Sequence, residues 1–233
     1  MTLAGCATTQ QEAARLQLNS ARIRSAEQKT VVRSAGSAVE VSDVSLLSSP
    51  GAHTFVVTLH NRRSTAVTDL PISVGVSSRG HHRVDLNAHS TEELSYYDSH
   101  LPRIAAGSSL TWVFTTSSKL PPRAHPFALV GAHPSPVASA GASAPTIAAR
   151  VTGTQGAHHG GAVLEVTLRN GSTIPQYQMP IYAIAQRGGR VVAAGELIVP
   201  HLGSRKTLPV RVPVRGSLSD ARIRVAALPA IVH

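Results

Sequence analysis

The chain is poor in several residue types that small proteins use for stability or for chemistry. Cys6 is the only cysteine among 233 residues, which excludes an internal disulfide and any zinc site built on cysteine pairs. Aromatic residues make up 3% of the sequence, and no apolar run reaches the ~18 residues of a membrane-spanning helix. Only three lysines are present, so arginine carries most of the basic charge.

Recognisable catalytic motifs are missing as well. The sequence contains no Walker loop, no G-x-S-x-G, no H-E-x-x-H and no EF-hand loop. The adjacent histidine pairs at His81 and His158 set no ligand spacing, because neighbours on a strand face opposite sides of a sheet. We therefore predict a protein that is not an enzyme, with no cofactor and no metal site. A metal-handling role for histidine-rich loops stays open as an alternative.

An internal repeat is the strongest signal in the sequence. Val57–Asn61 reads VTLHN and Val166–Asn170 reads VTLRN, and a Pro-Ile pair follows each asparagine after ten residues. Later anchors recur in the same order, at Pro102 and Pro200, Leu110 and Leu208, and Ala132 and Ala227. A repeat of this length predicts two copies of one structural unit.

Both copies consist of short β-type runs bounded by turn residues. Phe55–Leu59 and Val163–Leu168 are rich in β-branched residues, and Gly188-Gly189 between apolar runs predicts a hairpin turn. We predict an all-β chain with two tandem antiparallel Ig-like β-sandwiches, preceded by a short N-terminal helix or tether. The predicted divisions are a tether over 1–36, a first sandwich over 37–134, a Pro/Ala/Ser-rich linker over 135–145 and a second sandwich over 146–233.

Two segments resemble bacterial Ig-like modules of the CARDB and FxLYD kind. Ile181–Gly189 followed by Val191–Gly195 is similar to the strand–turn–strand region of FxLYD modules. Leu101–Trp112 is similar to the segment of CARDB modules in which a loop and a Gly-Ser turn lead into a strand. The resemblance implies an extracytoplasmic spacer or binding domain, and it supplies no catalytic residue.

The N-terminal residues Leu3-Ala4-Gly5-Cys6 resemble the lipobox of bacterial lipoproteins. That resemblance implies lipid attachment at Cys6, a membrane anchor, and a location in the cell envelope outside the cytoplasm. The alternative is an unmodified thiol. Residues 10–30 predict a helix with a narrow apolar stripe, which favours a solvated spacer over a helix lying on lipid headgroups.

A segment between the repeat anchors is eleven residues longer in the first copy than in the second. It contains Glu92, Glu93, Tyr96, Tyr97 and Asp98, and tyrosines beside carboxylates are well suited to recognition of a partner. The competing interpretation is a core tyrosine flanked by solvated acids.

Charge is divided unevenly along the chain. Residues 146–233 carry ten basic and three acidic side chains, a net charge of +7 out of the +10 of the whole chain. This asymmetry leaves two interpretations open: contact with a polyanion (an envelope polymer or a nucleic acid) or with lipid headgroups, and a scattered solvated surface. The residues predicted to make such contacts are Arg187, Arg190, Arg205, Lys206 and Arg211.

These observations together predict a non-catalytic cell-envelope lipoprotein that acts as a binding or assembly module. Its expected partners are the membrane, through the lipid anchor, and a protein or envelope polymer. Binding of a specific nucleic acid is not expected, because the basic residues come without a nucleic-acid-binding motif.

Overall fold

The computed structural model describes residue 16 and residues 31–78, 83–87, 95–132, 145–156 and 161–230. From residue 31 onward, the regular structure in these ranges is β-strand, apart from one turn of 3₁₀ helix at Tyr96–Asp98. All strand pairs are antiparallel, so the predicted all-β, sandwich-like class is confirmed.

The described residues of each half form six strands. The first half contains β1 (Val39–Ser49), β2 (Ala52–Asn61), β3 (Ile72–Ser77), β4 (Arg83–Asp85), β5 (Ser109–Thr116) and β6 (His125–Val130). The second half contains β7 (Ile147–Gly156), β8 (Gly161–Asn170), β9 (Gln176–Arg187), β10 (Arg190–Leu202), β11 (Thr207–Gly216) and β12 (Arg222–Ala227). The β9–β10 turn lies at the predicted Gly188-Gly189, where both glycines have positive φ.

The strand order of the first half recurs in the second. The first half forms two sheets, β1-β2-β5 and β4-β3-β6. The second half forms one sheet of order β12-β9-β10-β11-β8-β7, in which β10 and β11 pair at only two positions. That short junction divides the sheet into the triplets β7-β8-β11 and β10-β9-β12, which match the two sheets of the first half strand for strand.

The repeated asparagines, Asn61 and Asn170, have the same structural role in both halves. Both are fully buried at the end of a strand. In each half, Nδ2 donates to the carbonyl four residues later and to the loop before the neighbouring strand, while Oδ1 accepts the N–H two residues later. The partners are Thr65, Ile104, Ala105 and Arg63 for Asn61, and Ile174, Gly203 and Ser172 for Asn170. Each buried amide therefore holds the loop that follows its strand against the loop that precedes the neighbouring strand.

The end of the predicted tether packs on the first half. Val32 is buried and donates its N–H to Ser73 Oγ at 2.8 Å, and the Gly36 N–H donates to the Val130 carbonyl at 2.8 Å. The predicted helix over 10–30 lies outside the described residues except for Leu16, and the predicted linker over 135–145 lies outside them except for Pro145.

Candidate functional site

Strands β2 and β5 are buried on both faces at their centres, which a sheet at the surface of a sandwich would not be. Phe55 and Phe114 are paired on the inner face, and Val56 and Val113 are paired on the outer face. All four side chains have 1% exposure or less. Since an outer face in contact with water would show alternating exposure along the strand, a second layer of protein must lie over this sheet.

That layer is formed by β9 and β10 of the second half. Tyr182, Ile184 and Ala194 belong to the same apolar cluster as Val56 and Val113. Strand β9 can serve two cores because its alternate residues Met179, Ile181 and Ala183 turn into the core of the second half. The two halves are therefore joined through a continuous apolar contact.

A part-buried polar contact lies beside this apolar joint. The Thr115 N–H of β5 donates to Glu196 Oε1 of β10 at 2.8 Å. The Thr115 hydroxyl is 3.2 Å from the Thr54 hydroxyl on the neighbouring strand β2. One carboxyl group of the second half thus binds backbone of the first half at an outer-face position of its sheet.

The surroundings of Glu196 favour the neutral carboxylic acid. Loss of solvent around the carboxyl, and then the nearby charge of Asp98, raise the pKa of Glu196 well above its usual value. The hydrogen bonds from Thr115 act in the opposite direction and are the smaller effect. A neutral acid in this position avoids most of the cost of burying a charge.

Tyr182 is the second titratable group at the joint. Its hydroxyl is buried and has no hydrogen-bond partner within the described part of the chain. The neighbouring Trp112 indole N–H donates to the Tyr97 carbonyl at 2.9 Å. Burial, followed by the charges of Glu196 and Asp98, raises the pKa of Tyr182 above that of a free tyrosine.

A phenol, a carboxyl group of raised pKa and a second carboxylate in one place are the components of many acid–base sites. Here the Tyr182 side chain is only 2% exposed and lies between the two halves. A substrate would reach its hydroxyl only after the halves separate. We call Tyr182, Glu196 and Asp98, which influence one another electrostatically, the joint cluster; the hydrogen bond from Thr115 to Glu196 is its polar contact between the halves.

The predicted recognition segment contributes to the same region. Tyr97 has 2% exposure and packs in the apolar cluster of the second half, which favours the competing interpretation of a core tyrosine. Tyr96 is partly buried and stacks on His100 with ring centroids 4.4 Å apart. Asp98 accepts the Ser95 N–H at 2.6 Å. Glu92 and Glu93 lie outside the described residues.

The five predicted basic residues do not all lie on one surface. Arg187 and Arg190 face each other across the β9–β10 turn. Arg205 and Lys206 lie at the opposite end of β10, in the turn before β11. Since β10 runs from one site to the other over 13 residues, at about 3.3 Å per residue, a single compact ligand cannot contact both pairs.

Arg211 lies between these ends, on the outer face of the β7-β8-β11 triplet. Two further exposed arginines, Arg150 and Arg169, share that face, although neither is among the five predicted contact residues. Arg169 occupies the variable position of the VTLRN repeat segment. The alternation of Arg169 with buried Leu168 and Asn170 is the signal in the sequence that its side chain points outward.

The remaining sequence expectations concern metal, membrane and lipid. Within the described ranges, no group of three histidine, cysteine or acidic side chains is arranged to hold a metal ion. The pairs His81-His82 and His158-His159 lie outside those ranges, as does Cys6. None of the helical structure described for the chain is both long and apolar enough to cross a membrane.

Comparison with known proteins gives no match, either to a protein-family model or to a curated protein sequence.

Proposed function

We propose that the chain is a non-catalytic lipoprotein of the cell envelope, in which two tandem Ig-like β-sandwich domains act as a binding or assembly module. The domains correspond to the two halves of the repeat. The repeated strand order, the repeated buried asparagines and the resemblance of two segments to extracytoplasmic Ig-like modules all support this proposal.

The apolar joint between the halves is the observation that carries the proposal. A flexible pair of domains would leave Val56 and Val113 in water, whereas here they are covered by β9 and β10. Two sandwiches held in this way present their outer surfaces at a fixed separation. Fixed geometry is what a binding or assembly module needs, because binding a partner then costs little conformational entropy.

The Leu3-Ala4-Gly5-Cys6 motif supplies the envelope part of the proposal. A diacyl group on Cys6 would bind the membrane stably, since two acyl chains give much stronger anchoring than one. The chain already packs on the first half at Val32, so the segment before that residue would separate the anchor from the module.

The test is the intact mass and membrane partitioning of the protein expressed in its native host from the full genomic locus. A mature chain that begins at a lipidated Cys6 and sediments with membranes supports the proposal. The Cys6→Ala variant is the matched control and should lack both the lipid mass and the sedimentation. An unlipidated wild-type chain in the cytosol overturns the envelope assignment.

A further inference from the structure

The outer face of the β7-β8-β11 triplet brings basic residues together in register. Arg169 on β8 is paired with Thr207 on β11. Arg150 on β7 is paired with Thr167 on β8, which lies two residues before Arg169 and on the same face of the sheet. Same-face neighbours on a strand are about 6.8 Å apart, and adjacent strands are about 4.8 Å apart. The Arg150 and Arg169 side chains therefore start from diagonal positions, which lie about 7–8 Å apart on an antiparallel pair.

Three more basic residues extend this surface in both directions. Arg211 on β11 lies on the same face, two residues after Pro209. The turn that leads into β11 adds two more side chains at the other end. We call the exposed set Arg150, Arg169, Arg205, Lys206 and Arg211 the arginine face.

The charge of the arginine face is largely uncompensated. Glu165 is its one acidic residue, and the Gln155 amide donates to that carboxylate. Gln155 also accepts a hydrogen bond from Arg211 at 2.6 Å. Within the described ranges, no basic residue of the face forms a salt bridge with a carboxylate, in contrast to Arg62, which pairs with Glu40 in the first half.

The corresponding face of the first half is the outer face of β1-β2-β5. It differs in composition and in what covers it. Its central pair, Val56 and Val113, is apolar and is covered by the second half. The corresponding central pair of the second half is Glu165 and Arg211. A further copy of the domain would have to bury this charged pair, which is costly, so a protein layer of the same kind is not the expected occupant.

Two other features restrict the kind of ligand that the arginine face can bind. Strand β11 pairs with β10 at only two positions, and Pro209 and Pro213 lack the N–H groups that a further strand would need there, so strand addition beside β11 is disfavoured. The outward positions of the three strands contain no aromatic residue, so the face offers no platform on which nucleic-acid bases could stack. What remains is a row of guanidinium groups, which bind phosphate in a bidentate, planar manner.

We propose that the arginine face binds a base-free anionic polymer with phosphodiester repeats. This inference rests on the proposed role as a binding module and names its partner chemistry. The polymer lies across β7, β8 and β11, and successive phosphates contact Arg169, Arg150 and Arg211. The Arg205-Lys206 turn contacts the polymer at one end.

The test is binding of the purified full chain to a fluorescently labelled poly(glycerol phosphate), measured by anisotropy as a function of salt. The triple variant Arg150→Gln/Arg169→Gln/Arg211→Gln should bind roughly tenfold more weakly, and the slope of log K against log salt should become shallower by about 0.7 for each phosphate that the variant no longer binds. The control Arg187→Gln/Arg190→Gln/Arg222→Gln removes the same charge from the exposed residues near the β9–β10 turn and should bind nearly as well as the wild type.

Three results would overturn the inference. The first is no measurable binding at low salt, and the second is equal weakening by the two triple variants, which would indicate a response to net charge alone. The third is tighter binding to single-stranded DNA of matched charge, which would indicate recognition of bases. Circular dichroism of both triple variants checks that they are folded. Because lipidation of Cys6 is not needed for this assay, its outcome is independent of the envelope test.

Discussion

At the scale of single residues, the two halves share their strained positions as well as their strand order. Three pairs of residues at equivalent places in the two copies have positive φ, and they are Asp69 and Gln178, Gly107 and Arg205, and Arg123 and Asp220. Only one member of these pairs is a glycine. Because a left-handed backbone is unfavourable for residues with a Cβ atom, the second half carries strain at Arg205 that the first half avoids at Gly107.

This difference predicts the effect of exchanging the two residues. Arg205→Gly should raise the free energy of unfolding by about 1 kcal/mol, and Gly107→Arg should lower it by about 1–2 kcal/mol. Urea denaturation measures both changes. Arg205→Ala is the matched control, because it removes the same exposed side chain but keeps the Cβ atom. A gain for Arg205→Ala equal to that for Arg205→Gly would show that the backbone strain is not the cause.

At the scale of the strand, the pair of residues at the centre of a sheet's outer face decides whether that face is covered by protein or exposed to water. Val113 on β5 and Arg211 on β11 occupy corresponding positions, and Val113 is fully buried while Arg211 is exposed. Val113→Arg would place a charge inside the apolar joint. It should cost about 3 kcal/mol or more, because a buried charge without a partner is among the most destabilising changes.

The measurement for Val113→Arg is urea unfolding together with hydrogen exchange of the β9 and β10 amides. Exchange in these strands should become much faster, since the variant removes the layer that covers one of their faces. The reverse change Arg211→Val, on the exposed face, should alter stability by no more than about 0.5 kcal/mol. Slow exchange in β9 and β10 of a folded Val113→Arg variant would contradict the assigned role of the joint.

Individual strands and turns are also the features that the sequence predicts best. The VTL segments, the Pro-Ile pairs and Gly188-Gly189 identify strands and a turn, because alternation and turn chemistry are local properties. The continuous apolar run Phe55-Val56-Val57 indicates a strand that is buried on both faces. It does not indicate what covers it, since the covering residues lie more than 100 positions away in sequence.

The joint cluster could not be predicted for the same reason. Thr115 and Glu196 are 81 residues apart and share no motif. Glu196 in isolation is an ordinary acidic residue within an apolar strand, which alternation would place on a solvated face. Tyr97 stands out in the sequence, but its inward packing depends on the second half of the chain. The arginine face could not be predicted from the sequence either, because only the strand register shows that residues 150, 169 and 211 lie together.

At the scale of the whole molecule, the joint cluster couples the packing of the two halves to protonation. The pKa of Glu196 is raised in the folded chain, first by loss of solvent and then by Asp98. Below the pKa of about 4.3 that glutamate has in an unfolded chain, both states are protonated and the joint contributes its full stability. As pH rises, the unfolded chain releases this proton while the folded chain keeps it, so stability falls until pH passes the raised pKa of the folded state.

Replacing Glu196 with glutamine should remove this dependence. A glutamine Oε1 can still accept the Thr115 N–H, and it has no proton to release over the relevant pH range. Glu196→Gln should therefore match the wild type near pH 4 and become progressively more stable than it as pH rises, until the carboxyl of the wild type has ionised. Urea unfolding at intervals from about pH 4 to pH 9 measures this difference and stays below the range in which Tyr182, whose own pKa lies above about 10, would ionise.

Glu165→Gln provides the matched comparison, because it makes the same chemical change on the arginine face, away from the joint. The effect of Glu165→Gln at each pH is subtracted from that of Glu196→Gln, so that what remains belongs to the joint. A constant difference between Glu196→Gln and the wild type across the whole range would mean that the Glu196 carboxyl does not ionise at a raised pKa in the folded chain. A change of pH would then have no means of loosening the joint through this residue.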